Sequence, residues 1–246
     1  MGRARNGLAE AILERLPPSL AFRIDLLRPG LKDGYGGPFN GQLVRQAVVR
    51  EMFERTSFDL VVETGTYRGT TTAFIRTLTT APIVTIESDP RLARYARARL
   101  SHLGGITVRG GDSATQIRRL VMGRRGLAAE RPFFYLDAHG GHAGIQLPLR
   151  WEIVEVTSAW PAFCIVIDDF EVPGDGDYGY DGYGPGFRLR PELLEGLHLE
   201  TVTRFWPAAA GATETGRKRG WLVLARGDGI VAALRSNAGL REEAPT

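Results

Sequence analysis

Short apolar runs alternate with amphipathic stretches through the middle of the chain. Each run is followed by a glycine, a proline or an N-cap residue and then by a helix-like pattern. Buried parallel strands that alternate with helices have this appearance, because both faces of such a sheet are covered. The predicted strands are 58–63, 83–87, 106–109, 133–136 and 163–167, and the predicted helices between them are 70–78, 91–102, 114–122 and 149–159.

The two ends of the chain do not follow this alternation. Segment 172–187 is rich in Gly, Asp and Tyr and is too long for a tight connector, so it predicts an active-site loop. The glycine-rich stretch 31–42 is also a loop by composition. The other predicted elements are helices over 6–16, 43–55 and 191–197 and strands over 198–205 and 221–225, with no pattern after Arg235.

The alternation predicts an α/β fold with a doubly wound, mostly parallel sheet. The length of 246 residues suits one domain, 1–246, in which 1–56 is an N-terminal helical or lid segment. No apolar stretch is long enough to span a bilayer, and no apolar signal core is present, so we expect no membrane partner. Cys164 is the only cysteine and cannot form an internal disulfide, which favours a cytoplasmic location.

The charge of the chain gives little support to a nucleic-acid partner. The formal net charge is +3, and the basic residues are almost all arginines. Those in and next to two of the predicted helices are mixed with Ala and Leu and with few aromatic residues, which is typical of a solvated face rather than a nucleic-acid footprint. They are Arg91, Arg94, Arg97, Arg99, Arg118, Arg119, Arg124 and Arg125.

The first strand of the alternating region ends in a glycine turn with the spacing E-x-G-x-x-x-G, formed by Glu63, Gly65 and Gly69. Glycines allow a sharp turn and a close approach of the backbone to a ligand. Tyr67 replaces the second glycine of a dinucleotide fingerprint, and the turn lacks the lysine of a P-loop. Glu63 adds a carboxylate at the carboxyl edge of the sheet, where open α/β sheets bind ligands.

Two further turns at this edge carry acidic residues. Glu87 ends the second strand, where an acid can accept hydrogen bonds from both ribose hydroxyls of a nucleoside. The alternative is a surface carboxylate without a ligand. Asp112 or Ser113 is an N-cap of the next helix, a structural role that needs no ligand.

Asp137, Asp168 and Asp169 follow the fourth and fifth strands of the region. Three carboxylates at neighbouring strand ends would repel one another unless a cation neutralises them. Oxygen ligands suit a hard divalent ion, Mg²⁺ above all, so these residues are the predicted metal ligands. In the alternative interpretation Asp137 caps a helix, and the other two lie at a solvated turn.

The glycine turn resembles the first motif of class I S-adenosylmethionine (SAM)-dependent methyltransferases. The three aspartates match the acidic positions of the metal-dependent O-methyltransferases, which include catechol and sugar methyltransferases. The resemblance implies a seven-stranded Rossmann-like sheet with an antiparallel C-terminal hairpin, and SAM and Mg²⁺ as cofactors. The residues that it places at SAM are Glu63, Gly65, Thr66, Tyr67, Gly69, Thr70, Thr71, Glu87, Ser88, Asp112, Ser113 and Asp137.

The implied reaction moves a methyl group from SAM to a hydroxyl of a small molecule, such as a sugar or a natural product. Coordination to Mg²⁺ would lower the pKa of that hydroxyl, and a base would take its proton. His139 is the first candidate for the base, with His142 and Asp169 as alternatives.

Two other functions stay open. The chain could be a non-catalytic protein of the same fold that acts as a partner or regulatory subunit. A nucleic-acid methyltransferase is less favoured, because Asp168-Asp169-Phe170 lacks the prolines of the [DN]-P-P-[FY] motif. The N-terminal segment could also pack on a second subunit, which leaves a homo-oligomer open.

Overall fold

The computed structural model describes residues 16–27, 34–123, 127–139, 148–183 and 188–244. The helix predicted over 6–16 lies outside these residues apart from its last position. Nothing among the residues described is a helix long and apolar enough to cross a membrane.

The described strands form a single eight-stranded sheet. The strands are β1 (Leu60–Thr64), β2 (Ile83–Glu87), β3 (Ile106–Gly110), β4 (Pro132–Leu136), β5 (Phe163–Ile167), β6 (Thr203–Pro207), β7 (Leu222–Arg226) and β8 (Leu240–Glu242). Their order in the sheet is β3-β2-β1-β4-β5-β7-β6-β8. The first five strands are parallel, whereas β7 runs antiparallel to β5 and to β6. The predicted doubly wound sheet with an antiparallel hairpin is therefore confirmed.

Helices cover both faces of this sheet and enclose two apolar layers. The α-helices are α1 (Pro18–Leu26), α2 (Leu43–Arg55), α3 (Thr70–Arg76), α4 (Pro90–Leu100), α5 (Ser113–Met122), α6 (Leu149–Ala159) and α7 (Asp228–Arg235). Four of the five parallel strands are therefore buried at every position, whereas β3, at the edge of the sheet, is partly exposed.

The sequence pattern misplaced or missed several elements near the two ends. Helix α1 was not predicted, because Pro17 and Pro18 were interpreted only as a stop signal; instead Pro18 is the first residue of a helix, where its fixed φ is favourable. Helix α7 and strand β8 were also missed, so the sheet has eight strands rather than seven. The strand predicted over 198–205 begins only at Thr203, and the helix predicted over 191–197 is a short 3₁₀ turn.

The register of the parallel strands aligns the residues that follow them. Thr64 pairs with Leu136, and Leu136 pairs with Ile167. The residues that come next, Asp137 and Asp168, are therefore side by side at the carboxyl edge, one position beyond the end of the core. This is the position that the strand-end aspartates require if they are to share a site.

Helix α1 is held against α4 by a buried carboxylate. Asp25 accepts hydrogen bonds from the hydroxyl of Tyr95 and from Nη1 of Arg99, both at 2.9 Å. Arg68, in the glycine turn, lies 3.6 Å from the other oxygen of Asp25. Arg99 is thus buried in an ion pair and does not belong to the solvated face that the arginine pattern indicated.

The N-terminus of α2 is held by a residue from the opposite end of the chain. The two carboxylate oxygens of Glu214 accept the backbone N–H groups of Val44 and Arg45, each at 3.0 Å. Thr215 accepts a third N–H, that of Leu43, at 2.9 Å. A carboxylate is favourable here, because the first N–H groups of a helix have no partner within it and carry a partial positive charge.

Glu152, in the first turn of α6, is a fully buried carboxylate within the apolar layer. Burial raises its pKa to about 7, although the nearby hydroxyls of Ser113 and Thr64 lower the pKa in part. Neither carboxylate oxygen has a hydrogen bond of good geometry in the described part of the chain. The charged form of Glu152 is therefore a cost to the folded state.

We expect Glu152→Gln to stabilise the protein at alkaline pH. The pKa of Glu152 is about 7 in the folded state, whereas its ordinary value is 4.5. The cost of the buried charge is therefore absent at low pH, grows as the pH rises between these two pKa values, and is complete above pH about 7. The free energy of unfolding, measured with urea, should rise by about 1–3 kcal/mol at pH 8 and by less than half as much at pH 5.

Glu155→Gln is the matched control for this measurement. It lies on the same helix, but its carboxylate pairs with the exposed Arg118 at 2.7 Å. The control should show no gain in stability at pH 8. An equal gain in both variants, or a loss of stability in Glu152→Gln, would contradict the assignment of a buried charge penalty to Glu152.

Candidate active site

Five carboxylates meet at the carboxyl edge of the sheet, and we call this set the acidic rim. It consists of Glu63, Glu87, Asp137, Asp168 and Asp169. Their charges act on one another: Glu87 raises the pKa of Glu63, while Asp168, Asp169 and Glu63 each raise the pKa of Asp137 beyond the effect of burial. The structure therefore brings together the acidic residues that the strand ends predicted.

The glycine turn is a strained segment that packs tightly against β4. Gly65, Tyr67 and Gly69 all have positive φ, of 78°, 50° and 74°. A Cβ added to Gly65 would lie 2.3 Å from the backbone oxygen of Asp137. Gly65 is thus required first by the packing of the two strand ends, a reason that differs from the approach of a ligand that the spacing suggested.

Glu63 is buried beneath the turn and is held by threonines. Its Oε2 accepts hydrogen bonds from the hydroxyl of Thr72 and, at 2.5 Å, from that of Thr85, which is itself 2.5 Å from the hydroxyl of Thr66. Burial raises the pKa of Glu63 to about 7, and the two hydroxyls oppose part of this rise. Its Oε1 is buried and has no hydrogen-bond partner within the described residues.

Glu87 shapes the backbone of two turns. Its oxygens accept the N–H groups of Tyr67 at 2.7 Å and Asp89 at 2.9 Å. Burial raises its pKa, and these hydrogen bonds lower it. Asp112 is exposed and caps α5 by accepting the N–H of Thr115 at 2.8 Å, which is the structural role that the sequence predicted.

The other residues predicted to bind the cofactor surround the same turn. Thr66, Thr70 and Ser113 are buried, Tyr67 and Thr71 are half-buried, and Ser88 is exposed. Thr71 accepts the backbone N–H of Phe39 at 3.1 Å, so the segment before α2 covers this side of the turn. The roles of these residues toward a cofactor stay predictions.

Asp168 is completely enclosed by hydrogen-bond donors. Its Oδ1 accepts hydrogen bonds from Nη1 of Arg45 and, at 2.7 Å, from the backbone N–H of Asp169. Its Oδ2 accepts a hydrogen bond from the hydroxyl of Tyr135 at 2.5 Å. Burial alone would raise the pKa of Asp168, but the Arg45 charge and these hydrogen bonds outweigh it and lower the pKa. Asp168 is therefore a carboxylate whose charge is already balanced by a buried guanidinium.

Asp169 faces a second arginine and connects the strand end to the following loop. Its φ of 53° is unusual for a residue with a side chain and marks local strain of a kind common at functional sites. Nε of Arg219 lies 3.0 Å from Asp169 Oδ1 without hydrogen-bond alignment, and the same arginine pairs with Asp181. Burial, then Asp168 and Asp181, raise the pKa of Asp169 to about 8.

The side chain of His139 is buried behind Asp168. Its Nε2 is 3.1 Å from the backbone oxygen of Asp168. A carbonyl only accepts, so this contact places the proton on Nε2 and leaves Nδ1 as an acceptor without a partner in the described residues. Burial lowers the pKa of His139, which favours the neutral ring that a base requires. His142 lies outside the described residues.

Several residues of this site were not predicted from the sequence. Arg45, Tyr135 and Arg219 supply the partners of the aspartates. Arg45 could have been found from the periodicity of α2, because it lies on the same stripe as Val48, Val49 and Met52, where an apolar residue is expected. Tyr135 could not be singled out, because it lies within an apolar strand. Arg219 could not be singled out either, because it lies in a polar stretch that has no periodic pattern.

No arrangement of three or more His, Cys, Asp or Glu side chains in the described ranges forms a cage for a metal ion. The predicted ligands, Asp137, Asp168 and Asp169, are adjacent, but two of them face arginines. How well they fit a divalent ion is therefore decided by those arginines.

The tight packing of Gly65 generates a prediction about stability. We expect Gly65→Ala to lower the free energy of unfolding by about 1–3 kcal/mol more than the strain of a left-handed alanine alone, because the new Cβ meets the Asp137 backbone. Gly174→Ala is the control, since Gly174 has a φ of 79° but nothing within 4 Å of an added Cβ. Urea unfolding of both variants measures the difference, and equal losses would contradict the clash.

The fold is also found in solved methyltransferases. One is TomG, an O-methyltransferase from Streptomyces achromogenes that is involved in tomaymycin synthesis and was solved with SAM. Its TM-score to this chain is 0.50 at 19% sequence identity, and the match covers 74% of this chain and 80% of TomG. An O-methyltransferase from Bacillus cereus has a TM-score of 0.47 and 15% identity, covering 74% of this chain and 78% of its own. No protein-family model and no curated protein sequence matches this chain.

The likeness to TomG is one of overall fold. At this identity it establishes the fold and leaves the activity to be argued from the site. The chain thus has the Rossmann-like methyltransferase fold that the glycine turn and the strand alternation predicted.

Proposed function

We propose that this protein is a SAM-dependent O-methyltransferase that acts on a hydroxyl group of a small molecule. The observation that carries the proposal is the acidic rim. It places a glycine turn with two carboxylates, Glu63 and Glu87, beside a candidate base, His139, on one edge of a methyltransferase-like sheet. TomG, which has this fold, was solved with SAM.

The glycine-turn side of the rim suits the donor. SAM carries an ammonium group and two ribose hydroxyls, which are donors for carboxylates. The unpartnered oxygen of Glu63 would accept the ammonium, and Glu87, fixed by two backbone N–H groups, would accept from the ribose. Thr66 and Tyr67, between these carboxylates, would then contact the methionine and ribose portions.

The histidine side of the rim suits the acceptor. Nδ1 of His139 would take the proton of the acceptor hydroxyl as its oxygen attacks the methyl carbon of SAM in line with the sulfur. A carbon–oxygen bond forms, the carbon–sulfur bond breaks, and S-adenosylhomocysteine leaves as a neutral thioether. Asp169 is the alternative base, and the loop that begins after it would contact the acceptor.

The Mg²⁺ ion implied by the resemblance to metal-dependent O-methyltransferases fits these residues poorly. Asp168 has no exposed surface, and both of its oxygens already accept hydrogen bonds from Arg45, Tyr135 and a backbone N–H. Asp169 faces the Arg219 guanidinium. A divalent ion would have to displace two arginines, so we assign no step of the reaction to a metal.

The remaining expectations about partners stay predictions. A hydroxylated small-molecule acceptor follows from the proposed reaction, and no observation favours a nucleic acid. A cytoplasmic location and a homo-oligomer also remain to be tested. A non-catalytic role would be favoured if the protein binds SAM without turnover on any hydroxylated acceptor.

Binding of SAM is the first test of this proposal. Isothermal titration should show a micromolar dissociation constant for SAM in the wild type, and Gly65→Arg should abolish SAM binding, because the new side chain would force the glycine turn away from the Asp137 backbone. Gly196→Arg is the control, since Gly196 also has positive φ but nothing near an added Cβ. A wild type that binds neither SAM nor S-adenosylhomocysteine would end the proposal.

The role of His139 gives a second test. Transfer of labelled methyl groups to a panel of sugars, catechols and other hydroxylated compounds should fall by about 10²–10⁴-fold in His139→Ala, while the SAM dissociation constant changes by less than about threefold. The exposed His198 provides the control variant His198→Ala. Unchanged transfer in His139→Ala would exclude this histidine as the base and leave Asp169 as the candidate.

A further inference from the structure

The guanidinium of Arg45 lies beside two of the strand-end aspartates, Asp168 and Asp137. Its side chain has no exposed surface, and Nη1 contacts Asp168 directly and Oε1 of Gln42 at 3.3 Å. Asp137 also acts on it: burial would lower the pKa of Arg45, but Asp168, Tyr135 and Asp137 outweigh this effect and raise it. Arg45 is thus a permanent cation between two carboxylates.

Three aromatic rings enclose this cation. The Cζ atom of Arg45 lies 5.3 Å from the ring centroid of Phe39 and 5.4 Å from those of Tyr135 and Trp221. Aromatic faces stabilise a desolvated cation. They also explain how Nε and Nη2 can be buried with no hydrogen-bond partner in the described residues. The cage comes from three separate parts of the chain, so the position of the guanidinium is fixed from several sides.

Beyond the aromatic rings, the guanidinium contacts Asp168 and Gln42 through Nη1. A divalent ion at this edge would need the oxygens of Asp137 and Asp168, and the Arg45 charge would repel it. Arg45 therefore supplies positive charge to Asp168 and Asp137, while Asp169 faces Arg219. Unlike a metal ion, Arg45 cannot be removed by a chelator or exchanged.

We propose that Arg45 is the resident cation of the acidic rim and replaces the divalent metal ion of the metal-dependent O-methyltransferases. It acts as a positioning residue: it fixes Asp168, and Asp168 in turn fixes His139 through its backbone oxygen and Tyr135 through its carboxylate. The inference rests on the proposed methyl transfer for its functional meaning, but the cation site itself can be tested without turnover.

Mn²⁺ titration followed by electron paramagnetic resonance tests the replacement directly. The wild type should leave the free Mn²⁺ signal unchanged at protein concentrations near 0.1 mM, which corresponds to a dissociation constant above about 1 mM. Arg45→Gln should bind one Mn²⁺ at least about tenfold more tightly, because the freed carboxylates can then ligate it. Arg45→Lys keeps the cation and should behave like the wild type.

Two control variants test whether the Mn²⁺ site expected in Arg45→Gln lies at the strand-end aspartates. Arg55→Gln, on the same helix but paired with Glu51 at the surface, should bind no Mn²⁺. The double variant Arg45→Gln/Asp137→Asn should lose the Mn²⁺ binding gained by the single variant. A merely structural arginine would give a destabilised Arg45→Gln without any metal binding, and that result would overturn the proposal.

The wild type keeps the proposal testable if Arg45→Gln does not fold. Wild-type Mn²⁺ binding that is lost in Asp137→Asn would overturn it, and no binding would support it. SAM titration of the wild type, with and without EDTA, separates this inference from the proposed function: absence of SAM binding rejects the methyltransferase, whatever the Mn²⁺ result. SAM binding and methyl transfer that are unchanged in EDTA would support both.

Discussion

The buried ion pair between Arg45 and Asp168 is the interaction on which the rest of the site depends. It joins the helix that precedes the sheet to the end of its fifth strand, and neither side chain has exposed surface. Removing one partner of such a pair costs about 3–5 kcal/mol in other proteins, because the other charge is left buried and unbalanced. Tyr135 and the backbone N–H of Asp169 are held by the same carboxylate, and His139 contacts the backbone oxygen of Asp168.

The parts of this site that the sequence predicted are those set by local pattern. Glu63, Glu87, Asp137 and Asp168 each end a short apolar run, and parallel strands necessarily bring such ends to one edge. Helix α2 and strand β5 were predicted with their observed bounds, because β5 is a continuous apolar run and the apolar positions of α2 recur as far as Phe53. The glycine turn could likewise be read from the spacing of two residues.

The parts that could not be predicted are contacts between distant segments. Arg45 is 123 residues from Asp168, and Arg219 is 38 residues from Asp181. No spacing rule connects such positions, and the same three aspartates are compatible with a metal ion or with arginines until the partners are known. Loop 172–187 was predicted as an active-site loop, and its described part is anchored to the C-terminal hairpin through the Gly179 and Gly220 backbones.

The hydrogen bonds from the first N–H groups of α2 to Glu214 limit the order in which the molecule can assemble. The two segments are 170 residues apart, and no closer segment supplies these acceptors to the first N–H groups of the helix. Contacts of such long sequence separation form late, after the intervening chain has been brought together. During synthesis on the ribosome, the aromatic cage of Arg45 would therefore stay incomplete until Trp221 has emerged, so the cage should form late.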